Sequence, residues 1–514
     1  MSAEKKYLLG LDIGTGSLRA GLFDLEGNAI ASDSQDYETA HPRPGWAEQN
    51  PQDWWDAAKA TIPKTLAEAN VRPEEILAIS IDCMACTVVM LDEHGEPLHP
   101  ALIWMDIRAV KETEEVNATK HPILKYVTWS DSPEWMVPKA LWLKRNRSDL
   151  YAKADKVVEL VDWFTWKLAG RWTLSLNHVT CKWNYASPEG GWSDDFLSTV
   201  GLDDIRDKWP EDVLALGEPV GPLCATAANE LGLAEGILVA QGGIDAHLGA
   251  IGLGAVQPGD LALIMGSSTC HIALSEKPIF DSGVWGPYPD AIIPGTWLLE
   301  GGQVSTGSIV RWYIDNFAHR EESEAEAQGT DVYKVLDAKA AAVPAGSDGL
   351  VLLDYWQGNR TPLRDPRARG VIWGLSLSHG PGHVFRAIYE GTAYGTRHIL
   401  DDMARHGHKV KQIFAAGGGV QSRLWLQIHA DVCQVPIALS RESQCMCLGA
   451  ALCAAVGAQV YPSIADAAVN MVAIAETIQP NPDLRETYDF YFQKYVETYP
   501  QLANLMHDMV DRVG

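Results

Sequence analysis

The stretch Leu8–Asn28, LLGLDIGTGSLRAGLFDLEGN, places a glycine-rich loop between two runs of strand-forming residues. The loop does not end in Gly-Lys-Ser/Thr, so it differs from the phosphate loop of nucleotide hydrolases. Arg19 stands where a dinucleotide-binding fingerprint needs its third glycine, and a second strand, Leu18–Phe23, follows instead of a helix. The stretch therefore predicts an antiparallel hairpin whose tip binds phosphate in another architecture.

A second stretch, Leu261–Ser275 (LALIMGSSTCHIALS), repeats the pattern 252 positions later. At this offset Gly14 falls on Gly266 and Ser17 falls on Thr269, and leucines of the flanking strands coincide as well. The offset is close to half of the 514 residues. Strands and helices alternate elsewhere, which indicates an α/β class. We expect two similar domains that present two hairpin loops to one polyphosphate in the cleft between them.

The size and charge of the chain limit its partners. A chain of 514 residues with 46% apolar residues predicts two or three buried cores. The chain has 67 acidic and 41 basic residues, which gives a net charge of −26. Such a charge disfavours nucleic acid and anionic membranes as partners. The charged N-terminus without a signal-peptide core, and the lack of a long apolar run, predict a cytoplasmic protein.

Nine cysteines are scattered without regular spacing. Cys83-x-x-Cys86 and Cys445-x-Cys447 leave a zinc site open as an alternative. Neither pair has histidines or further cysteines at ligand spacing, which favours buried, reduced thiols.

A third glycine cluster, Gly417–Gly419, follows the predicted strand Ile413–Ala415 and precedes a helix predicted to begin near Ser422. Glycines at such a turn allow a flat nucleobase to approach the backbone, and the helix N-terminus tolerates negative charge. Tight turns between strands and helices also need glycine, so a purely structural role remains the alternative.

Two aspartates stand at the ends of predicted strands. Asp245 follows the strand Ile237–Ala240, where it would either project into a cleft or cap the next helix. Asp12 ends the first strand beside the first loop, where it would orient water around Mg²⁺ or bond to the turn. Together with two phosphate loops and a nucleobase site, these acids indicate phosphoryl transfer, with Asp245 accepting a proton from a hydroxyl.

Seven motifs in this order resemble the FGGY carbohydrate kinases over nearly the whole chain. They are GLDIGTGSLRAGLFD, WMDIRA, GGIDAH, MGSSTCHIAL, EGGQVSTGSIVRW, GNRTPLRDPRARG and GGGVQSRLWLQIHADV. The resemblance implies two actin/hexokinase-like (ribonuclease H-like) α/β domains, 1–253 and 254–514, flanking a catalytic cleft. It also implies ATP and Mg²⁺ as cofactors, and a homodimer as an option. We expect the helical tail 482–513 to break near Pro500 and to pack on the first domain.

Matched by position, the family's functional residues fall on definite residues of this chain. Asp245 matches the catalytic base, and Asp12 together with Asp245 matches the acids near the metal. Arg19 matches a basic residue close to the transferred phosphate. The full set of positions matching the ATP-binding residues is Gly14, Thr15, Gly16, Ser17, Arg19, Gly266, Ser267, Ser268, Gly307, Arg311, Gly418, Gly419 and Ser422.

The motifs DWFTWKLAG, CKWNY and EGGQ are most similar to the ribulokinase branch, and PKALWLK and GVWGPYPDAIIPGTWLLEGGQ resemble its D-ribulokinase members. The resemblance implies phosphorylation of the terminal 5-hydroxyl of D-ribulose. The implied substrate contacts are Asp82, Ala85, Lys182, Asp245 and Glu300. Lys182 and Glu300 can hold a polyol through charge-assisted hydrogen bonds, although a solvated lysine and a carboxylate bonded to its own turn are the alternatives.

The loop after the fourth predicted strand departs from both related patterns. Met84-Ala85 stands where glycerol kinases carry an arginine-glutamate pair, which counts against glycerol. The D-ribulokinase members read Asp-Ala-Thr-Cys there, and they carry extra residues before the Trp-Met-Asp motif that this chain lacks. A single changed pocket residue shifts specificity by about 1–3 kcal/mol, so ribitol, another five-carbon polyol and L-ribulose stay open as acceptors.

Two alternatives come from other functional classes. A chaperone ATPase or filament protein of the same fold would not need the polyol pair Lys182 and Glu300. A sugar-binding protein that is independent of nucleotide would leave both phosphate loops unexplained. The sequence therefore predicts a sugar kinase.

Overall fold

The computed structural model describes residues 6–513. Residues 1–5, which are half of the N-terminal segment that argued against a signal peptide, lie outside the described residues, as does residue 514. The chain forms two α/β halves, each built around a mixed seven-stranded sheet. In the part of the chain that the structure describes, no helix is both long and apolar enough to cross a membrane.

In the part of the first half that the structure describes, there are thirteen strands. They are β1 (Tyr7–Ile13), β2 (Ser17–Asp24), β3 (Ala29–Asp36), β4 (Glu48–Gln49), β5 (Ile76–Cys83), β6 (Val88–Leu91), β7 (Ala101–Leu102), β8 (Lys156–Glu159), β9 (Leu174–Ser175), β10 (Val213–Leu214), β11 (Pro219–Pro222), β12 (Leu238–Ala240) and β13 (Gly243–Ile244). Its helices are α1 (Pro51–Ala69), α2 (Val110–Ala118), α3 (Met136–Asn146), α4 (Ser148–Lys153), α5 (Leu160–Ala169), α6 (Leu176–Lys182), α7 (Asp194–Thr199), α8 (Ala225–Leu231) and α9 (Asp245–Gly252).

The second half has fewer strands and longer helices. Its strands are β14 (Asp260–Met265), β15 (Thr269–Ser275), β16 (Trp285–Pro289), β17 (Trp297–Gln303), β18 (Val351–Leu353), β19 (Val371–Trp373), β20 (Gln412–Ala416), β21 (Ile437–Ser440) and β22 (Ile474–Ile478). Its helices are α10 (Gly307–Phe317), α11 (His319–Gln328), α12 (Val332–Ala341), α13 (Pro381–Arg405), α14 (Arg423–Cys433), α15 (Cys445–Gly457), α16 (Ile464–Met471) and α17 (Arg485–Val513).

The two large sheets repeat one topology. The first runs β3-β2-β1-β5-β12-β11 and the second runs β17-β15-β14-β20-β21-β22, with β16 added at the edge beyond β17. In both sheets three antiparallel strands are followed by two strands parallel to the first hairpin strand and then by one antiparallel strand. The duplication predicted from the hairpins is therefore confirmed for the whole sheet.

Local sequence signals set the ends of several elements as expected. Asn50 caps α1 by accepting a hydrogen bond from the Gln52 amide at 3.3 Å, and Pro51 is the first helical residue. Ser422 caps α14 by accepting from the Trp425 amide at 3.1 Å. Strand β3 extends to Asp36 because it pairs along the whole length of β2.

The halves meet through helices of small residues. Helix α15 of the second half packs on β1 and β5 of the first half and crosses α9. A Cβ atom on Gly252 would lie 1.9 Å from the Cys445 carbonyl oxygen, and one on Gly449 would lie 1.9 Å from the Leu248 carbonyl oxygen. A helix from beyond residue 253 thus packs against elements of the first half. The division into domains 1–253 and 254–514 stays a prediction from the sequence.

The C-terminal helix differs from the sequence prediction in two respects. Helix α17 is continuous through Pro500, so the predicted break is wrong; this proline lies on the exposed face of the helix. The helix packs on β18, α13 and α14 of the second half, not on the first. The reason is its stripe of Tyr488, Phe492 and Tyr495, which is buried in the second core.

Candidate active site

Three aspartates converge where parallel strands of the first sheet end. Asp12 of β1 is the register partner of Asp82 on β5, and Gly243 of β13 pairs with Asp82 from the other side. Asp245 begins α9 two residues after Gly243. Ligands of α/β sheets bind at this carboxyl end, so the structure brings the predicted base and the predicted metal ligand together.

The environment of Asp245 suits a proton acceptor. Burial and the nearby charge of Asp12 raise the pKa of Asp245 to about 7. Its Oδ1 accepts a hydrogen bond from the Ala246 amide at 2.6 Å, so it does not act as the N-cap of α9, where Ile244 stands. A carboxylate with a pKa near the working pH is effective as a general base.

Asp82 is placed differently from its predicted role. Its side chain is fully buried, and burial raises its pKa well above the usual range, as does the neighbouring charge of Asp12. Because the side chain is fully buried and interacts with Asp12, the substrate contact of Asp82 stays a prediction. Ala85, by contrast, is partly exposed on the loop that follows β5.

The tip of the first hairpin, Gly14–Ser17, is fixed by three side chains that the sequence did not single out. Tyr37 donates its hydroxyl to the carbonyls of Gly14 and Ser17. Gln49 donates to the Thr15 carbonyl at 2.7 Å, and the Trp104 indole donates to Thr15 Oγ1 at 2.8 Å. Only the tryptophan lay in a quoted motif, WMDIRA. These bonds hold the loop in one conformation, which reduces the ordering cost of binding phosphate.

The second hairpin tip, Gly266–Thr269, is held by the start of α10. The amides of Thr306 and Ser308 both donate to the Ser267 carbonyl at 3.0 Å. A Cβ atom on Gly307 would lie 2.5 Å from the Gly266 carbonyl oxygen, so only glycine allows this contact. The helix N-terminus therefore lies directly against the loop, where its dipole favours an anion.

A cavity of about 740 Å³ opens beside the second hairpin. It is lined by seven of the predicted ATP-site residues, namely Gly266, Ser267, Gly307, Arg311, Gly418, Gly419 and Ser422. Its volume is within the range of small-molecule sites. The structure thus gathers into one cavity residues that lie far apart in the sequence.

Other residues of this cavity were missed by the sequence analysis. They come from α12, α13 and α14 and include Tyr333, Asp337, Tyr389 and Trp425. Asp337 accepts hydrogen bonds from the hydroxyls of Tyr389 at 2.8 Å and Ser422 at 2.7 Å. Helix α12 contains no glycine, and its Asp337 does not follow a predicted strand as Asp12 and Asp245 do, so nothing local marked it.

Arg19 is not brought into this cavity. It lies opposite Asp12 across the first hairpin, and its charge partly offsets the burial that raises the pKa of Asp12. Its side chain lines a separate cavity of about 430 Å³ with residues from β3 and from the segment before α15. Ser268, also predicted for the ATP site, does not line the 740 Å³ cavity.

Lys182 and Glu300 form an ion pair that joins the two halves. Lys182 ends α6 and Glu300 lies on β17, with Nζ and Oε2 3.0 Å apart. Their side chains are only 9% and 16% exposed, which excludes the solvated-surface alternative for Lys182. Burial opposes both charges, but mutual attraction prevails: the pKa of Lys182 is raised and that of Glu300 is lowered to about 2.

The acids Asp12 and Asp245 decide which metal ion the site could hold. Within residues 6–513, no group of three or more histidine, cysteine or acidic side chains converges as a metal cage, and all nine cysteines are free thiols. The zinc alternative therefore has no support. Mg²⁺ in proteins is bound by one or two carboxylates together with substrate phosphates. Asp12 and Asp245 lie close together, and burial raises the pKa of both carboxyls. A bound cation would offset the repulsion between these two acids.

The comparisons with known proteins agree with this geometry. The model of the FGGY family of carbohydrate kinases, N-terminal domain, matches residues 7–252, and that of its C-terminal domain matches residues 261–458. An FGGY carbohydrate kinase domain-containing protein from Xenopus laevis is 35% identical, with 96% of both chains covered. A ribulokinase from Geobacillus thermodenitrificans is 33% identical over 99% of this chain and 97% of its own.

Solved structures show the same two-domain, actin/hexokinase-like α/β fold. A xylulose kinase from Rhodospirillum rubrum superposes with a TM-score of 0.87 and 29% identity, covering 98% of this chain and 100% of its own. A Plasmodium falciparum glycerol kinase with ADP shares the fold at a TM-score of 0.84 and 18% identity, covering 97% and 99%. This chain is therefore an ATP-using sugar kinase, and it belongs to the FGGY family of carbohydrate kinases.

Proposed function

We propose that this kinase transfers the γ-phosphate of ATP to the terminal 5-hydroxyl of a five-carbon sugar, D-ribulose, giving D-ribulose 5-phosphate and ADP. The observation that carries the proposal is the position of Asp245: a carboxyl with a pKa of about 7 lies at the first phosphate hairpin, close enough to Lys182 to feel its charge. The ribulokinase-like motifs and the ribulokinase relatives support the choice of acceptor.

The residues then divide the chemistry as follows. Lys182 donates to acceptor hydroxyls and Glu300 accepts from them, which orients the sugar. Asp245 takes the proton from the 5-hydroxyl as its oxygen attacks the γ-phosphorus, and the bond from that phosphorus to the β,γ-bridging oxygen breaks to release ADP. The proton ends on Asp245, and closure of the cleft excludes water as a competing acceptor.

The two hairpins and the 740 Å³ cavity serve the nucleotide in this scheme. Gly266, Ser267 and the start of α10 support the phosphates, while Gly418, Gly419 and Ser422 border the adenosine. Gly14–Ser17 offers a second set of small residues for the transferred group. Asp12 and Asp245 are the residues that would hold Mg²⁺, whose charge neutralises the phosphate oxygens when it is bound.

Other acceptors of the same family are the second candidates. Xylulose kinases are among the similar structures, and ribitol and L-ribulose fit the same terminal-hydroxyl chemistry. A non-catalytic, actin-like ATPase is disfavoured by the buried Lys182–Glu300 pair, which has no use in such a protein. We also propose a cytoplasmic location, the domains 1–253 and 254–514, and a homodimer, without nucleic acid or membrane as partners.

The test is ADP release from Mg·ATP with D-ribulose, L-ribulose, D-xylulose, ribitol, erythritol and glycerol, each at several concentrations. D-Ribulose is expected to give the highest kcat/KM. If a polyol leads the panel, the kinase stands and the acceptor is wrong. If ATP turnover does not respond to any sugar, the ATPase alternative replaces the proposal.

A further inference from the structure

A group of buried polar side chains next to the Lys182–Glu300 pair has no partner for several of its atoms. We name Asp131, Asn184 and Tyr288 the distal cluster; their exposed fractions are 4%, 4% and 0%. Among residues 6–513, Asp131 Oδ2, the Tyr288 hydroxyl and both amide atoms of Asn184 have no partner at good hydrogen-bonding geometry, although the Asn184 side chain lies near enough to the Asp131 carboxyl to lower its pKa. Buried polar groups in folded proteins are nearly always paired, so four such atoms in one place need an explanation.

The Asp131 carboxyl is held in a fixed orientation by its surroundings. Its backbone exchanges two hydrogen bonds with the Asn117 side chain, at 2.7 and 3.2 Å. Its Oδ1 accepts from the Ser132 amide at 3.0 Å, which leaves Oδ2 as the unpaired oxygen. Nearby, Thr128 donates to the carbonyls of Val284 and Gly286 at 2.9 and 3.0 Å, and so attaches this loop to the strand β16 that carries Tyr288.

The distal cluster adjoins the acceptor site. Asn184 follows Lys182 by two residues, and its amide lies close enough to the Asp131 carboxyl to influence its charge. Lys182 lies near Asp131 as well, and Tyr288 lies near both Asp131 and Glu300. The Lys182 Nζ is 5.2 Å from the ring centre of the buried Trp135, which forms an apolar wall on this side.

We propose that the distal cluster is a hydroxyl-binding subsite for the end of the acceptor that is farthest from the phosphorylated hydroxyl. Asp131 Oδ2 accepts from a hydroxyl, while the Asn184 amide and the Tyr288 hydroxyl can both donate and accept. This combination suits a polyol or ketose with hydroxyl groups at its far carbons. The inference rests on the proposed function, since it assigns the far end of the same acceptor.

The test compares acceptors that differ by one hydroxyl. D-Ribulose, ribitol and their 1-deoxy analogues are titrated by calorimetry without nucleotide, and ADP release is measured in parallel. The variants are Tyr288→Phe and Asp131→Asn. Tyr394→Phe is the matched control, because the Tyr394 hydroxyl is also buried and unpaired but lies in the core of the second half. Thermal unfolding checks that each variant is folded.

Wild type is expected to bind at least one hydroxylated acceptor about 100-fold more tightly than its 1-deoxy analogue, because a site built for a hydroxyl rejects the analogue that lacks it. Tyr288→Phe and Asp131→Asn each reduce this preference at least tenfold, on the order of one lost hydrogen bond to a buried partner, while Tyr394→Phe retains it. The proposal is overturned if both variants keep the wild-type preference, if wild type does not discriminate, or if none of the four compounds binds. Discrimination in calorimetry without ADP release would instead leave the subsite standing and remove the proposed function.

Discussion

The two glycine hairpins join strands of the same topology but carry different side chains, and the second turn is one residue shorter: Ile13 pairs with Leu18, whereas Met265 pairs with Thr269. At the sequence offset of 252, Asp12 of the first hairpin corresponds to Ile264 of the second, and Arg19 corresponds to His271, although the strand partner of Ile264 is Cys270. The first hairpin thus places an acid, Asp12, next to Asp245, whereas the second hairpin has the apolar Ile264 at the corresponding position. The comparison teaches that the two sheets share one topology while single positions differ. In the proposed function, the first hairpin lies on the side of proton transfer (the proton-transfer side) and the second lies on the side of the nucleotide (the nucleotide side).

The basic positions of the hairpins also diverged. His271 is fully buried, its Nε2 lies 3.1 Å from Thr396 Oγ1, and burial lowers its pKa to about 3, so it is neutral. Arg19 is the strand partner of Asp12 and is partly exposed. The second hairpin relies instead on its close contact with α10 at Gly307. A mutation at one hairpin can therefore leave the other hairpin unchanged.

The largest effect is expected for Asp245→Asn on the proton-transfer side. The amide keeps the shape of the carboxyl but cannot accept the proton, so kcat should fall about 10²–10⁴-fold. ADP release with the best acceptor at saturating Mg·ATP measures this; the KM for ATP should change far less than kcat, because the variant removes one carboxylate that would hold Mg²⁺ but leaves the adenosine cavity untouched. A variant with more than about a third of wild-type kcat would show that Asp245 is not the base.

The pH dependence of the activity should also report on Asp245. The pKa of Asp245 is raised to about 7, and the base acts when deprotonated, so activity is lost as pH falls through that value. A plot of log kcat/KM should be level above pH 8 and fall about tenfold per unit below pH 6. Steady-state kinetics in buffers of constant ionic strength measure it. A profile that stays flat from pH 5.5 to 8 contradicts the assignment.

On the nucleotide side, Gly307→Ala should raise the KM for ATP about tenfold. The new Cβ atom would lie 2.5 Å from the Gly266 carbonyl, so α10 must move away from the hairpin. At saturating ATP, kcat should stay near the wild-type value. Gly380→Ala is the control, because its Cβ atom would meet nothing within 4 Å. Equal KM values for both variants would mean that the contact between α10 and the loop is unimportant.

The smallest effect is expected for Tyr37→Phe at the first hairpin. It removes the hydroxyl that bonds to the Gly14 and Ser17 carbonyls and should lower the free energy of unfolding by about 1–2 kcal/mol. The KM for ATP should rise only a few-fold, since Gln49 and Trp104 still hold the loop. Urea unfolding and steady-state kinetics measure both. No loss of stability would show that these bonds do not support the tip.

Sequence reasoning reached those features that depend on local signals. The hairpins, the glycine turn before Ser422 and the acid after β12 each carry a residue type that the backbone or the chemistry demands. The family resemblance implied that Lys182 and Glu300 contact the same sugar, since no spacing connects α6 with β17; that they pair with each other was not predicted. Their separation of 3.0 Å emerges only when the halves fold together.

The features that were missed or misplaced depend on tertiary packing. Asp337 lines the 740 Å³ cavity from α12, and Asp82 is fully buried, although both look like ordinary acids in the sequence. Helix α17 passes Pro500 because the proline falls on the solvent face, and its packing partner is decided by which core accepts its aromatic stripe. Such outcomes depend on faces and neighbours, which periodicity alone does not identify.

The most direct test of the divided hairpins is a parallel measurement of kcat and of the KM for ATP in Asp245→Asn and Gly307→Ala, with the best acceptor of the panel. The account predicts that Asp245→Asn loses kcat at least 100-fold, with a much smaller change in its ATP KM. It predicts that Gly307→Ala raises the ATP KM about tenfold and keeps kcat. If both variants lose kcat and ATP affinity alike, the two hairpins do not divide the chemistry, and the central claim is wrong.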